Sequence, residues 1–396
     1  MNKFLEKPIA ILGGGNAGHS ATADLSLAGY KVNFYEHPKF AQHFKPSLET
    51  KLIDIVEIQG QPGRTAQAKV HKVTVDIKEA LVDAGLIFLL VPSFAHELFF
   101  EEMIPELKDG QVIVLWAANS GALRLRRLLR ERRPGLKVTI YETDQPPCAA
   151  RLLSDAGEGY YESTTVKRVG PPKIMVFRSA AGPWLGNPSE FYMDYPLVIS
   201  ALPAKDTEVA LDDIRTLYPL FKPCKNVINV ALCTPHHLIH PPLCILNTGR
   251  IEAIKEDFII LKDGHTPSVF AVQDAICKEL DAIADAVGGN VTLPPSVPRS
   301  FVKYKTDFPS IYGKDGMKNR FVTEDVPFGS VPVSLFAKKF GIKTPLIDAF
   351  IYIASAINGE DYYNTGRNLE KLGIADVGMD KLLRIVNEED LYEGIL

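Results

Sequence analysis

The chain has 396 residues, 46% of them hydrophobic and 23% charged, with a formal net charge of −4. That length exceeds one compact core and calls for two domains, while the mild negative charge argues against nucleic acid or an anionic membrane as the main partner. No apolar run reaches membrane-spanning length, the opening MNKFLEKPIA leads into a strand without room for a signal peptide, and five cysteines (Cys148, Cys224, Cys233, Cys244 and Cys277) without a C-x-x-C pair read as reduced thiols of a cytoplasmic protein.

The first predicted element is a short strand, Ile9 to Leu12, that stops at Gly13-Gly14-Gly15-Asn16-Ala17-Gly18. The glycines have G-x-G-x-x-G spacing, and a small-residue helix, His19 to Leu27, follows. In such a strand–turn–helix unit the first glycine, Gly13, permits the turn. The second, Gly15, lets a pyrophosphate approach the backbone, and the third, Gly18, packs helix on strand. The helix start adds N–H groups and a positive dipole end, so Asn16 and Ala17 join the candidate cofactor residues. A second strand, Lys31 to Tyr35, ends in Glu36, eighteen residues beyond Gly18. A carboxylate there accepts from a ribose 2′-hydroxyl and repels a 2′-phosphate, which favours NAD; Lys39 nearby keeps NADP open. These features predict an α/β domain of Rossmann type.

Strands are expected at Leu52 to Gly60 and Val70 to Asp76, then a helix at Ile77 to Val82. Leu86 to Val91 read as a buried parallel strand ending at Pro92-Ser93, where a doubly wound sheet places its ligand crevice. Val112 to Trp116 repeat the pattern and end in Ala117-Ala118-Asn119-Ser120-Gly121. The basic helix Ala122 to Arg133 reads as a solvated or salt-bridged face. Lys137 to Glu142 lead to Thr143-Asp144-Gln145. Three strands thus deliver polar loops to one end of a sheet, where substrate and nicotinamide are expected to meet. Val166 to Ala180 are expected to add two strands. A change from strands to helices sets the boundary, with a dinucleotide-binding domain at 1–203 and an all-α domain at 204–396. In the latter, helices are expected at Thr207 to Tyr218 and Lys225 to Cys233, and Val269, Val272, Ile276, Leu280, Ile283 and Val287 form one core-facing stripe.

Two segments of the helical half carry chemistry. Three of the nine histidines, His236, His237 and His240, lie within five residues. His236 and His240 have a metal-binding helical spacing, but Pro235 and Pro241 are expected to interrupt the helix and no carboxylate cluster completes a site, so no metal is expected. A histidine capping a Pro-broken helix and a general acid/base both remain open. The second segment, RFVTEDVPFG at Arg320 to Gly329, offers a guanidinium suited to a carboxylate and, in Glu324 or Asp325, a group to orient a histidine; a surface salt bridge explains the same charges equally well.

Taken together, GGGNAG, the Asn229 to Pro241 segment with its LNTGRIE continuation, RFVTEDVPFG, and NTGRNLEKLGI at Asn364 to Ile374 resemble the opine dehydrogenases of the octopine and N-(1-carboxyethyl)norvaline type. The resemblance implies condensation of an L-amino acid with a 2-oxo acid such as pyruvate, and reduction of the imine by NAD(P)H. It implies His240 as acid/base, Asp325 as its dyad partner, and Arg320 as a carboxylate clamp. Asn119 and Thr143 would lie near the substrate, with Asn119 shorter than the glutamine some relatives carry. A homodimer is left open. The competing readings are an NAD-dependent 2-hydroxy acid or polyol-phosphate dehydrogenase, which needs no amine, and a dinucleotide-binding regulator without turnover.

Overall fold

Four runs buried at every position, apolar except for Asn33, form the centre of the main sheet: β1 (Ile9–Leu12), β2 (Val32–Tyr35), β6 (Leu86–Leu89) and β7 (Val112–Leu115). Runs without an exposed face are what a parallel sheet covered on both sides requires. In this computed structural model, which describes residues 3–153, 170–195, 197–291 and 313–388, β1 pairs in parallel with both β2 and β6, and β6 with β7. With β5 (Lys72–Thr74), β8 (Thr139–Thr143), β11 (Val198–Leu202) and β12 (Lys222–Pro223), the eight-stranded order is β12-β11-β8-β7-β6-β1-β2-β5.

A second sheet was not foreseen. It has four strands in the order β4-β3-β10-β9, from β3 (Leu52–Ile58), β4 (Ala66–Lys69), β9 (Cys148–Leu152) and β10 (Lys173–Ser179). Alternating burial along β3 leaves one face open, which suits a small one-sided sheet. The strand expected over Val70 to Asp76 is therefore shorter. The chain leaves the small sheet after Lys69 and enters the main one only at Lys72. Of the two strands expected in Val166 to Ala180, the second is β10, and the first lies outside the described residues.

Contacts divide the chain into two units, Met1–Ala117, Leu128–Ile199 and Asp206–Lys222 against Ala118–Arg127, Ser200–Lys205 and Pro223–Leu396. Residues 206–222 belong to the sheet-bearing unit because Tyr218 and Phe221 pack on Trp116, each at 5.4 Å between rings. The Tyr141 hydroxyl also accepts from Ala210 N at 2.9 Å and donates to Thr207 O at 2.8 Å. Instead of one helix over Thr207 to Tyr218, a 3-10 turn (Ala204–Val209) precedes a short helix, Leu211–Leu217.

Two helices of the first unit matter for the site, α1 (Asn16–Leu27) and α2 (Ala41–Thr50). In the basic helix α3 (Gly121–Arg132), Arg132 makes an ion pair with Glu101. Others cap carbonyls: Arg126 donates to Leu202 O at 2.9 Å and Arg124 to Lys371 O at 3.1 Å. The planar guanidinium suits both tasks.

Apart from the last residues of β11 and β12, the second unit is helical in its described residues. It comprises α4 (Val227–Cys233), α5 (His236–Ile245), α6 (Pro267–Ala286), α7 (Arg320–Thr323), α8 (Val331–Lys339) and α9 (Pro345–Asn358), with shorter turns. Five of the six stripe residues along α6 are buried. Val272 is half-buried, and its neighbour Gln273 takes the core position, donating to Ile239 O at 3.2 Å. Among the described residues, no helix is long and apolar enough to cross a membrane, and no cluster of metal-ligating side chains occurs.

Candidate functional site

The glycine turn shows three separate steric roles. Gly13 has φ +112°, and a Cβ there would stand 2.7 Å from Leu90 O, so the turn needs glycine twice over. A Cβ on Gly18 would stand 1.7 Å from Gly13 O, where α1 packs on the turn. Gly15 has nothing within 4 Å of that position, leaving its backbone open to a phosphate. Gly15 also precedes α1 without a side-chain cap, so the first-turn N–H groups of Asn16 and Ala17 face the same opening. The residues present therefore fit a dinucleotide. Gly18→Ala is expected to cost about 1–3 kcal/mol of stability from overpacking and to weaken NADH binding. Thermal unfolding and a fluorescence titration check this; an unchanged variant would contradict the packing.

Asn16 supports this cradle through its side-chain oxygen, which accepts from Leu152 N at 2.8 Å and ties the small sheet to the start of α1. Glu36 ends β2 as expected. It is buried, and its two carboxylate oxygens accept from Gly14 N and His37 N, both at 2.7 Å. Burial raises its pKa above the ordinary carboxylate value. It thus braces the turn from within, and each oxygen keeps a lone pair for a ribose hydroxyl. Pro92 stands immediately before the 3-10 turn Ser93–Ala95 that follows β6. His19, which the sequence did not single out, bonds Gly15 O at 3.1 Å and Ser47 Oγ of α2 at 2.8 Å.

In the helical unit, His240 Nδ1 lies 2.7 Å from Asp325 Oδ2, joining residues 85 apart in sequence. Both are buried. The expected break of the helix at Pro241 does not occur, because α5 runs through Pro241 and Pro242. The prolines keep a helix-compatible φ, and nine of the ten residues are buried, so packing offsets the lost N–H donors. Pro235 stands at the N-cap position. His236 and His240 consequently share a face, with rings stacked at 5.3 Å, and Phe321 of α7 stacks on His240 at 3.6 Å.

Asp325 begins a π-helical turn, Asp325–Ser330, between α7 and α8. Pro327 and Pro332 remove two N–H donors here, and the turn widens. Burial pushes His240 below its ordinary pKa, with Arg320 acting in the same direction, and pushes the Asp325 carboxyl upward. The imidazole is therefore held neutral. With Asp325 accepting from Nδ1–H, Nε2 is the basic nitrogen. Arg320 pairs with Glu324 at 2.9 Å across one turn; its side chain is 58% exposed and that of Glu324 only 6%. One side of its guanidinium is thus anchored while the residue remains accessible.

The polar loop after β7 is held in an uncommon conformation. Ala117, Asn119 and Ser120 have φ of +51°, +50° and +68°. Left-handed non-glycine residues cost roughly 1–2 kcal/mol each. Asn119 is buried. Thr143 is fully buried, and its hydroxyl accepts from Ala117 N at 3.3 Å and donates to Gln145 O at 3.0 Å, so it braces backbone around the loop.

A dinucleotide cradle on a parallel sheet and a buried His–Asp pair in a helical unit are features that fit an NAD(P)-dependent dehydrogenase. Residues 223–358 match the family described as NAD/NADP octopine/nopaline dehydrogenase, alpha-helical domain. Over those residues the chain is similar to the opine dehydrogenases. It is 29% identical to an opine dehydrogenase of Arthrobacter sp. (strain 1C) over 93% of this chain and 96% of that protein. Its fold matches that of octopine dehydrogenase with NADH and pyruvate (TM-score 0.66, 18% identity, 95% and 97% of the two chains). It also matches yersinopine dehydrogenase bound to NADP+ (TM-score 0.67, 14% identity, 94% and 98%).

Of the candidate residues, the structure brings together His240, Asp325, Arg320 and Glu324 in one unit, and the glycine turn with Glu36 in the other. Sequence reasoning missed Phe321, Pro327 and Arg367. Only burial reveals them, although Arg367 lies in the NTGRNLEKLGI segment already noted.

Proposed function

We propose that this chain catalyses the NAD(P)H-dependent condensation of an L-amino acid with a 2-oxo acid such as pyruvate, and the reverse oxidation. The observation that carries this reading is the buried 2.7 Å bond between His240 and Asp325. Residues 1–203 are assigned to holding the cofactor and 204–396 to the substrate. The cysteine pattern supports a cytoplasmic setting.

An amino acid reaches the enzyme as an ammonium, which cannot attack a carbonyl. His240 Nε2 takes that proton, and the freed amine adds to the keto carbon. As that bond forms, one N–H proton moves from the nitrogen to the former keto oxygen, and the imidazolium, stabilised by Asp325, then gives the resulting carbinolamine hydroxyl its second proton, so that it leaves as water. A dinucleotide held by the Gly13 to Gly18 turn and Glu36 would supply the hydride that reduces the carbon–nitrogen double bond that remains. Arg320 holds the oxo-acid carboxylate, with Glu324 fixing its fork. Asn119 offers an amide to the substrate, and Thr143 acts by holding the loop. The lowered pKa of His240 suits the opening step, because the ring is neutral when the ammonium arrives.

The sign of the pH dependence follows. Only neutral His240 can take the proton, and its pKa is lowered, so the acid limb of kcat/KM for the amino acid is expected below about 6.5, the ordinary imidazole value. A limb above that value would contradict the assignment. The reading itself is tested by NADH oxidation with pyruvate, glyoxylate or 2-oxoglutarate, with and without each common L-amino acid. Oxidation is expected to require the amino acid; oxidation by oxo acid alone would move the protein to the hydroxy-acid dehydrogenases.

A further inference from the structure

Arg367 is only 3% exposed, yet its cation is placed beside two functional segments. Its Nη1 donates to Ala118 O at 2.5 Å and to Asn119 O at 2.8 Å. Its backbone N donates to Pro327 O at 2.9 Å, and the guanidinium lies over the Phe328 ring at 5.2 Å. The preceding Gly366 brings the backbone close enough that a Cβ there would stand 2.5 Å from Pro327 O. One dipeptide therefore touches the left-handed loop that carries Asn119 and the π-helical turn that Asp325 begins. Left-handed non-glycine residues persist only when their surroundings over-determine them, and a charged donor shared by two consecutive carbonyls does so strongly. With Nη1 committed to two backbone carbonyls, the guanidinium supports the loop.

Resting on the function proposed above, we propose that Arg367 is a positioning residue for the reaction, clamping the Asn119 loop and the Asp325 turn into one fixed geometry. Arg367 acts on the chemistry through Asn119 and Asp325. Since small misplacements of reacting groups cost up to about a hundredfold in rate, losing this clamp is expected to lower kcat and leave cofactor binding alone.

The test compares Arg367→Met and Arg367→Lys in the full-length enzyme by backbone hydrogen exchange and by kinetics. In Arg367→Met, amides of residues 118–121 and 325–330 are expected to exchange about tenfold faster or more, with β1 and α6 unchanged. Its kcat is expected to fall roughly 10- to 100-fold with NADH affinity retained. Lysine keeps a buried cationic donor and is expected to restore most of both. Should the methionine variant fail to fold, Phe328→Leu removes the stacking surface alone; it is expected to speed exchange in 325–330 and lower kcat. Unchanged exchange in both segments overturns the clamp, and faster exchange with unchanged kcat overturns the positioning role. A wild type that turns over no amino acid overturns the functional reading instead, and the exchange data then decide the clamp alone.

Discussion

His240→Asn is expected to lower kcat by about 10²- to 10⁴-fold, the range that a positioned general acid/base contributes. One imidazole serves two proton transfers in the proposed cycle, from the incoming ammonium and to the departing water. Asparagine keeps a polar group of similar reach but neither accepts nor releases a proton. NADH affinity is expected to stay within about twofold of wild type, because the glycine turn and Glu36 are built by another part of the chain. Steady-state kinetics beside a fluorescence titration of NADH separate the two quantities. A variant with near wild-type kcat would remove His240 from the chemistry.

Asp325→Asn is expected to lower kcat by roughly 10²- to 10³-fold, because the imidazolium formed during turnover loses the buried carboxylate that stabilises it. The carboxylate fixes the ring through Nδ1 at 2.7 Å and balances the imidazolium while it exists. An amide in its place can still hydrogen-bond Nδ1, but it supplies no negative charge and can bind the wrong tautomer. The amino-acid KM is expected to change far less than kcat, since Asp325 has no assigned contact with substrate. An equal loss in KM with kcat preserved would recast Asp325 as a binding group.

The cofactor cradle was legible in the sequence because its glycines answer to hard steric limits that spacing alone exposes. Gly13 and Gly18 stand where a Cβ would clash and Gly15 where the backbone is open, and the nearly all-apolar strands declared a sheet covered on both faces. Charge chemistry offered Glu324 or Asp325 to orient a histidine, and only family resemblance singled out Asp325 with His240, since no spacing rule joins residues 85 apart. Proline gave the opposite lesson. Pro241 predicts a break, yet α5 continues because burial of its surface outweighs two missing donors. The small sheet was hidden because β4, with the sequence AQAK, has neither β-branched nor aromatic residues, and the strand expected over Val70 to Asp76 begins only after it. Arg367 was invisible for a simpler reason: a buried and a solvated arginine look alike in a polar run.

The most direct test of the central claim is the mass of the product formed from NADH, pyruvate and a ¹⁵N-labelled L-amino acid. The account predicts a secondary amine that retains the ¹⁵N and carries the carboxyethyl group of pyruvate, formed by the wild type and lost with His240→Asn. Formation of lactate, with the labelled amino acid recovered unchanged, would contradict it.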